Sequence, residues 1–127
     1  MDLRIITPEG VVFSKEATMV VVPTEVGPTG ILPHHTPLLS KLKIGELKVK
    51  RDGEEDYYAV TKGIIEVCEN KVTILVQEAI HAKEIDVEDI RRKKEERELY
   101  RDKVDFAHFE ADLEVLLNKL RIAEQRG

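Results

Sequence analysis

The sequence predicts an all-β sandwich followed by an α-helical antiparallel hairpin, because turn-forming and helix-forming residues are segregated along the chain. All five prolines (Pro8, Pro23, Pro28, Pro33, Pro37) lie in the first third, and every glycine except Gly127 precedes residue 64. Short β-branched runs separate these turn residues, the pattern of antiparallel strands on packed sheets. From Asp86 onward there is no proline and no internal glycine, and Glu, Lys, Arg and Leu dominate. That composition favours helix by propensity and by the absence of breakers. The seam falls near residue 84, dividing a β unit at 1–84 from a helical hairpin at 85–127.

Along the first unit the readable strands are Leu3–Thr7, Val11–Ser14, Ala17–Pro23, Gly45–Lys50, Tyr57–Thr61, Ile64–Cys68 and Lys71–Gln77. Turns are expected at Pro8-Glu9-Gly10, Arg51-Asp52-Gly53 and Glu69-Asn70. The last of these is a two-residue polar loop between alternating runs, the strongest hairpin signal in the chain. Gly27-Pro28-Thr29-Gly30 reads as a tight turn needing glycine torsions. In the tail, a first helix is expected from about Val87 to Arg101 and a second beyond Asp105. Asp105 is placed to cap the second helix, and Val104 and Phe109 to staple it. Phe106, Phe109, Leu113, Leu116, Leu117 and Leu120 then form an apolar stripe. The first helix carries an unbroken charged run from Arg91 to Glu98, and its apolar face is limited to Val87, Ile90, Leu99 and Tyr100. Such a helix is marginal alone, since short helices depend on tertiary packing. The tail therefore reads as a hairpin able to dock, undock or change partner.

Composition narrows the function. With 127 residues the chain holds one compact domain, or one small domain with an appended element. Its net charge of −5 supplies no global positive field for nucleic acid or an anionic membrane. The longest uncharged run, Val26–Ser40, is interrupted by prolines and is too short to span a bilayer. The opening Met1-Asp-Leu-Arg-Ile-Ile lacks the order of a signal peptide, and a lone cysteine fits a reducing compartment. Cys68, in a strand with no flanking base, reads as a buried inert thiol. His34-His35 has no Cys, Asp or Glu at ligand spacing and reads as a loop between prolines rather than a metal site. Gly27 to Gly30 is not followed by Gly-Lys-Ser/Thr, which excludes a phosphate-cradling loop. No nucleophile with a base and no metal set is legible, so a small hydrolase is the weakest reading.

Two segments carry a family likeness: Gly27-Pro-Thr-Gly-Ile-Leu-Pro-His-His-Thr-Pro-Leu-Leu-Ser-Lys-Leu42 and Gly63-Ile-Ile-Glu-Val-Cys-Glu-Asn-Lys-Val-Thr-Ile-Leu-Val76. The chain resembles the epsilon subunits of rotary F-type ATP synthases, and Thr7-Pro8-Glu9-Gly10 and Glu84-Ile85-Asp86 agree. The family pattern often has an acidic residue at the place of Pro28, glycine at that of His34, and a glycine pair where this chain has Lys62-Gly63.

The resemblance implies about ten strands in the sandwich and a non-catalytic rotor role in the central stalk, against the gamma subunit and the c-subunit ring. It places the complex, with this chain peripheral, on the cytoplasmic face of the bacterial plasma membrane. Gly27, Pro28, Gly30, Ile31, His35 and Leu38 are the expected partner contacts, and charge substitutions at Ile31 or His35 are expected to weaken assembly while sparing the fold. The resemblance also implies inhibition of ATP hydrolysis by an extended hairpin whose basic residues meet the alpha and beta subunits. Arg91, Arg92, Lys93, Lys94, Arg97 and Arg101 on the first helix, and Lys119, Arg121 and Arg126 on the second, are the candidates. No resident cofactor is expected. A regulatory ATP would use Asp86 with Arg91 or Arg92, although Asp89 stands where ATP-binding relatives have arginine. The alternative is a free-standing sandwich adaptor that recruits another partner through its hairpin.

Overall fold

A computed structural model describes the backbone of residues 1–99 and 106–126, and the side chains of 1–96 and 113–126. Ten strands come first: β1 (Asp2–Thr7), β2 (Gly10–Glu16), β3 (Met19–Thr24), β4 (Gly27–Ile31), β5 (Leu38–Leu42), β6 (Gly45–Arg51), β7 (Glu54–Val60), β8 (Gly63–Cys68), β9 (Lys71–Val76) and β10 (Ala79–His81). A short 3-10 turn, Ala82–Glu84, leads into α1 (Val87–Leu99) and α2 (Phe106–Arg126).

The strands form two five-stranded layers, β4-β3-β6-β7-β10 and β5-β8-β9-β1-β2, joined where Thr24 of β3 meets Leu42 of β5. All pairings are antiparallel except β1 with β9. Period-2 alternation explains the core. Leu3, Ile5, Val20, Val22, Leu47, Val49, Ile65, Val67, Val72 and Ile74 are buried between the layers, and most of their sequence neighbours are more exposed. Two-residue turns close β6–β7 and β8–β9, with positive φ at Asp52 (45°), Gly53 (77°), Glu69 (50°) and Asn70 (61°). Positive φ at both central residues matches the strand twist in this turn type.

Two expectations need correction. Gly27-Pro28-Thr29-Gly30 is not a turn but most of strand β4, paired from Val20↔Ile31 to Thr24↔Gly27. The turn lies one step earlier, at Glu25-Val26, where Thr24 Oγ1 donates to the Gly27 carbonyl at 2.8 Å and Gly27 takes φ +113°. Low intrinsic strand propensity in β4 is overridden by pairing with β3. Cys68 is exposed rather than buried, because at its position the β8 alternation points it outward. Strands β5 and β10, absent from the residue-by-residue reading, complete the ten. The expected cap at Asp105 and staple from Val104 to Phe109 fall outside the residues described.

Gly63 marks the closest backbone approach. A Cβ there would lie 2.0 Å from the Leu75 carbonyl oxygen, so no larger residue fits without separating β8 from β9.

Candidate functional site

Two surfaces on opposite faces of the sandwich have the character of functional sites. The first is the outer face of the β6–β7–β10 layer, which α2 covers together with the 3-10 turn. Its apolar seat is small: Ile122, fully buried, packs with Ala59 of β7 and Ala82 of the turn, flanked by Tyr57 and Ile85. Polar contacts surround it. Asn118, also buried, donates through Nδ2 to the Gly45 carbonyl at 3.0 Å and accepts from Arg121. Lys119 pairs with Glu78. Arg126 reaches Glu46 at 3.2 Å and lies over the Tyr57 ring, 4.4 Å from its centroid. Arg126 is held more strongly protonated by its hydrogen bond with Glu46 and that carboxylate's charge. Positions 115, 118, 119, 122 and 126 share one helical face.

α1 packs antiparallel to α2, as the pairing of Arg91 near the start of one with Glu124 near the end of the other (2.8 Å) requires. Ile90 is buried. Asp86 caps α1 by accepting from the Asp89 amide at 3.1 Å. Asp89 in turn holds Arg92 and Lys93, the latter at 3.1 Å. Hydrogen bonds from Lys93 first and Arg92 second hold its pKa below the usual carboxylate range. Thus Asp86, Arg91 and Arg92, the group a regulatory ATP would use, are all engaged within the protein, and such a ligand would have to displace carboxylates from both arginines. Lys94 is half-buried; the side chains of Arg97 and Arg101 lie outside the described residues. Among the described residues no three His, Cys, Asp or Glu side chains are grouped to hold a metal ion.

The apolar stripe expected for α2 is seated differently from its sequence pattern. Leu116 is buried, Leu117 is 42% exposed, and the docking residues are mostly polar. Truncating Ile122 to alanine should therefore free the hairpin, at a cost of about 2–5 kcal/mol for a buried isoleucine. The sandwich should keep its thermal midpoint, because Ile122 is no part of the main core. Limited proteolysis alongside thermal unfolding measures both.

The second surface is the outer face of β5–β8–β9–β1–β2. Register aligns Lys41, Ile64, Leu75, Ile6 and Val11 in one cross-strand row. Ile64, Leu75 and Val11 are 41, 42 and 61% exposed, and Leu39 at 73% stands in the next row. A contiguous apolar row on an otherwise charged sheet is the signature of a binding face. The sequence reading missed it. Its signal is Ile64-Ile65 and Ile74-Leu75-Val76, where alternation fails and apolar residues occupy both faces.

The motif residues expected to meet a partner do not share one loop. Gly27 and Pro28 lie at the end of the sandwich where Leu42 and Gly63 meet. His35 lies at the other end, beyond Leu38, which pairs with Val67. There His34, with φ 64°, donates its amide to Asn70 Oδ1 at 2.9 Å, and His35 Nδ1 approaches the Thr36 carbonyl at 2.7 Å. Gly30 is exposed and Leu38 half-buried. Ile31 is fully buried in the core, so it cannot meet a partner and cannot carry a charge without cost to the fold. The expectation for Ile31 is overturned by the inward phase of β4.

Residues 1–82 match the family model described as ATP synthase, Delta/Epsilon chain, beta-sandwich domain. The chain is 39% identical over 128 residues to the ATP synthase epsilon chain of Bacillus mycoides, covering 98% of this chain and 96% of that one. It is 37% identical over 127 residues to the sodium ion specific ATP synthase epsilon chain of Propionigenium modestum, covering 97% and 93%. Among solved structures, a chain of the Euglena gracilis mitochondrial ATP synthase aligns with TM-score 0.77 and 22% identity, covering 99% of this chain and 81% of that one. That likeness extends the agreement in fold to the whole architecture.

Proposed function

The chain belongs to the ATP synthase epsilon-chain family, and on that premise we propose that it is a non-catalytic central-stalk subunit that couples rotation to ATP synthesis and restrains ATP hydrolysis. The division of labour falls at residue 84. The sandwich, 1–84, is the stalk element, joined to the gamma subunit and the c-subunit ring. The hairpin, 85–127, is the regulatory element, able to reach the alpha and beta subunits when released. Membrane association is through the complex, on the cytoplasmic face of the bacterial plasma membrane; among the described residues no helix is long and apolar enough to cross a bilayer.

The observation that carries the stalk role is the exposed row of Ile64, Leu75 and Val11 on the face opposite the hairpin. Covering such side chains yields roughly 25 cal/mol per Å² of apolar surface removed from water, and the face is free to meet a partner while the hairpin stays docked. The regulatory role is supported by the hairpin's seat, one isoleucine with two alanines and a ring of charge pairs. Small units of this kind open at modest cost, and a partner offering comparable contacts shifts the population. Opening frees Lys119 and Arg126 from sandwich carboxylates for acidic surfaces elsewhere.

Co-purification tests the stalk role. The intact chain should be recovered with the alpha, beta and gamma chains, whereas a free-standing adaptor should not. The Ile64→Lys/Leu75→Glu double variant, which sets opposite charges across the directly opposed β8–β9 pair, should lose at least about tenfold in recovery, equivalent to about 1.4 kcal/mol, while retaining a cooperative thermal transition. Recovery of the double variant at the intact level contradicts this assignment of the face.

A further inference from the structure

The hinge between sandwich and hairpin contains a histidine whose two ring nitrogens are both committed. His81 ends β10 and caps the 3-10 turn: its Nδ1 accepts from the Lys83 amide at 3.1 Å. A backbone N–H can only donate, so Nδ1 is unprotonated and the ring proton sits on Nε2. Nε2 donates to Asp56 Oδ1 on β7 at 3.0 Å. Asp56 is held from its other side by Arg51 of β6 at 3.2 Å. The ring also stacks edge-on against Tyr58, centroids 5.1 Å apart. The remaining charged neighbours are Lys83 and Glu84 of the turn, and beyond it the Glu78–Lys119 pair that ties α2. The turn held by this bond is the one that presents Ala82 to Ile122, the apolar seat of the hairpin.

We propose that His81 is a proton-operated latch on the hairpin: protonation at Nδ1 removes the acceptor for the Lys83 amide and loosens the turn on which α2 is seated. An imidazolium has two donors and no acceptor, so Nδ1–H would point at the Lys83 N–H. The bond to Asp56, in contrast, becomes charge-assisted and stronger. The ring therefore stays with the sandwich and lets go of the turn. Burial favours a neutral Asp56, but the His81 hydrogen bond and the Arg51 charge outweigh it and hold the carboxyl below its usual range. Tyr58 is pushed up to about 12, by burial first and by Asp56 second. Both neighbours thus keep one charge state whichever form the imidazole takes.

The sign follows from proton counting. The docked state has no place for a proton on Nδ1 and the released state does, so release takes up a proton. Docking is then strongest at alkaline pH and weakens on acidification.

The latch rests on the hairpin being releasable, as proposed above, but its test is independent of inhibition. Amide exchange by NMR on the full chain should show protection factors at Lys83, Ile122 and Ala123 falling between about twofold and tenfold from pH 8 to pH 5, the equilibrium worth of one hydrogen bond. Core amides such as Val20 and Ile74 should stay constant. His81→Asn supplies a capping acceptor that does not titrate, and should abolish the fall while leaving His34, His35 and His108 in place. Unchanged protection in the intact chain, or a fall that persists in His81→Asn, overturns the latch. Neither result bears on inhibition, which is read in the assembled enzyme.

Discussion

Replacing Ile31 by aspartate should abolish cooperative folding of the sandwich rather than detach an intact sandwich from its partners. Ile31 is fully buried at the end of β4, paired with Val20 and enclosed by the main core. The substitution removes an isoleucine worth about 2–5 kcal/mol in such a site. It also places a carboxylate among Leu and Val side chains with no partner, which costs several kcal/mol more or forces the group to take up a proton. Small domains are stable by only about 5–15 kcal/mol, so the sum consumes most or all of the margin. Circular dichroism during heating should show a lost or strongly lowered transition. Ile31→Val, which deletes one methylene, should cost about 1 kcal/mol. Substitution at His35, in the loop beyond the core, should leave the transition in place.

Ile31 also shows where sequence reading stops. The motif from Gly27 to Leu42 is contiguous in sequence, but strands β4 and β5 run through it, so Gly27 and Leu42 lie together at one end of the sandwich and His34-His35 at the other. Proline and glycine content suggested a turn because propensity is local. The pairing of β3 with β4 that overrides it is a tertiary fact. By contrast, the Glu69-Asn70 and Asp52-Gly53 turns were legible, because the residues at the turn satisfy the φ requirement within two positions. The change from strands to helices was legible for a similar reason: absence of breakers over about forty residues is a signal that needs no tertiary knowledge.

The hairpin's docking face was not legible. Hydrophobic periodicity selects Leu113, Leu116, Leu117 and Leu120, whereas the contacts to the sandwich come from Asn118, Lys119, Ile122 and Arg126. Polar side chains dock well only when their partners are in place, and Gly45, Glu78 and Glu46 lie 40 to 80 residues away in sequence. The exposed row on the other face was hidden by the same rule in reverse. An apolar residue such as Ile64 or Leu75 reads as core until the register shows which way it points.

Central to the account is that the hairpin is a reserve inhibitor rather than a prop for the sandwich. Truncation after Glu84 separates these roles. The main core is drawn entirely from residues 1–79, so the truncated chain should still fold and assemble. It should lose the helices whose basic residues are proposed to meet the alpha and beta subunits. In the reconstituted synthase, ATP hydrolysis should rise by about fivefold or more, within the ordinary range for coupling between a regulatory element and a distant site, while ATP synthesis is largely retained. ATP hydrolysis by the truncated complex no faster than by the complete one, with equal incorporation of the two chains, would contradict the account and leave the hairpin a structural element.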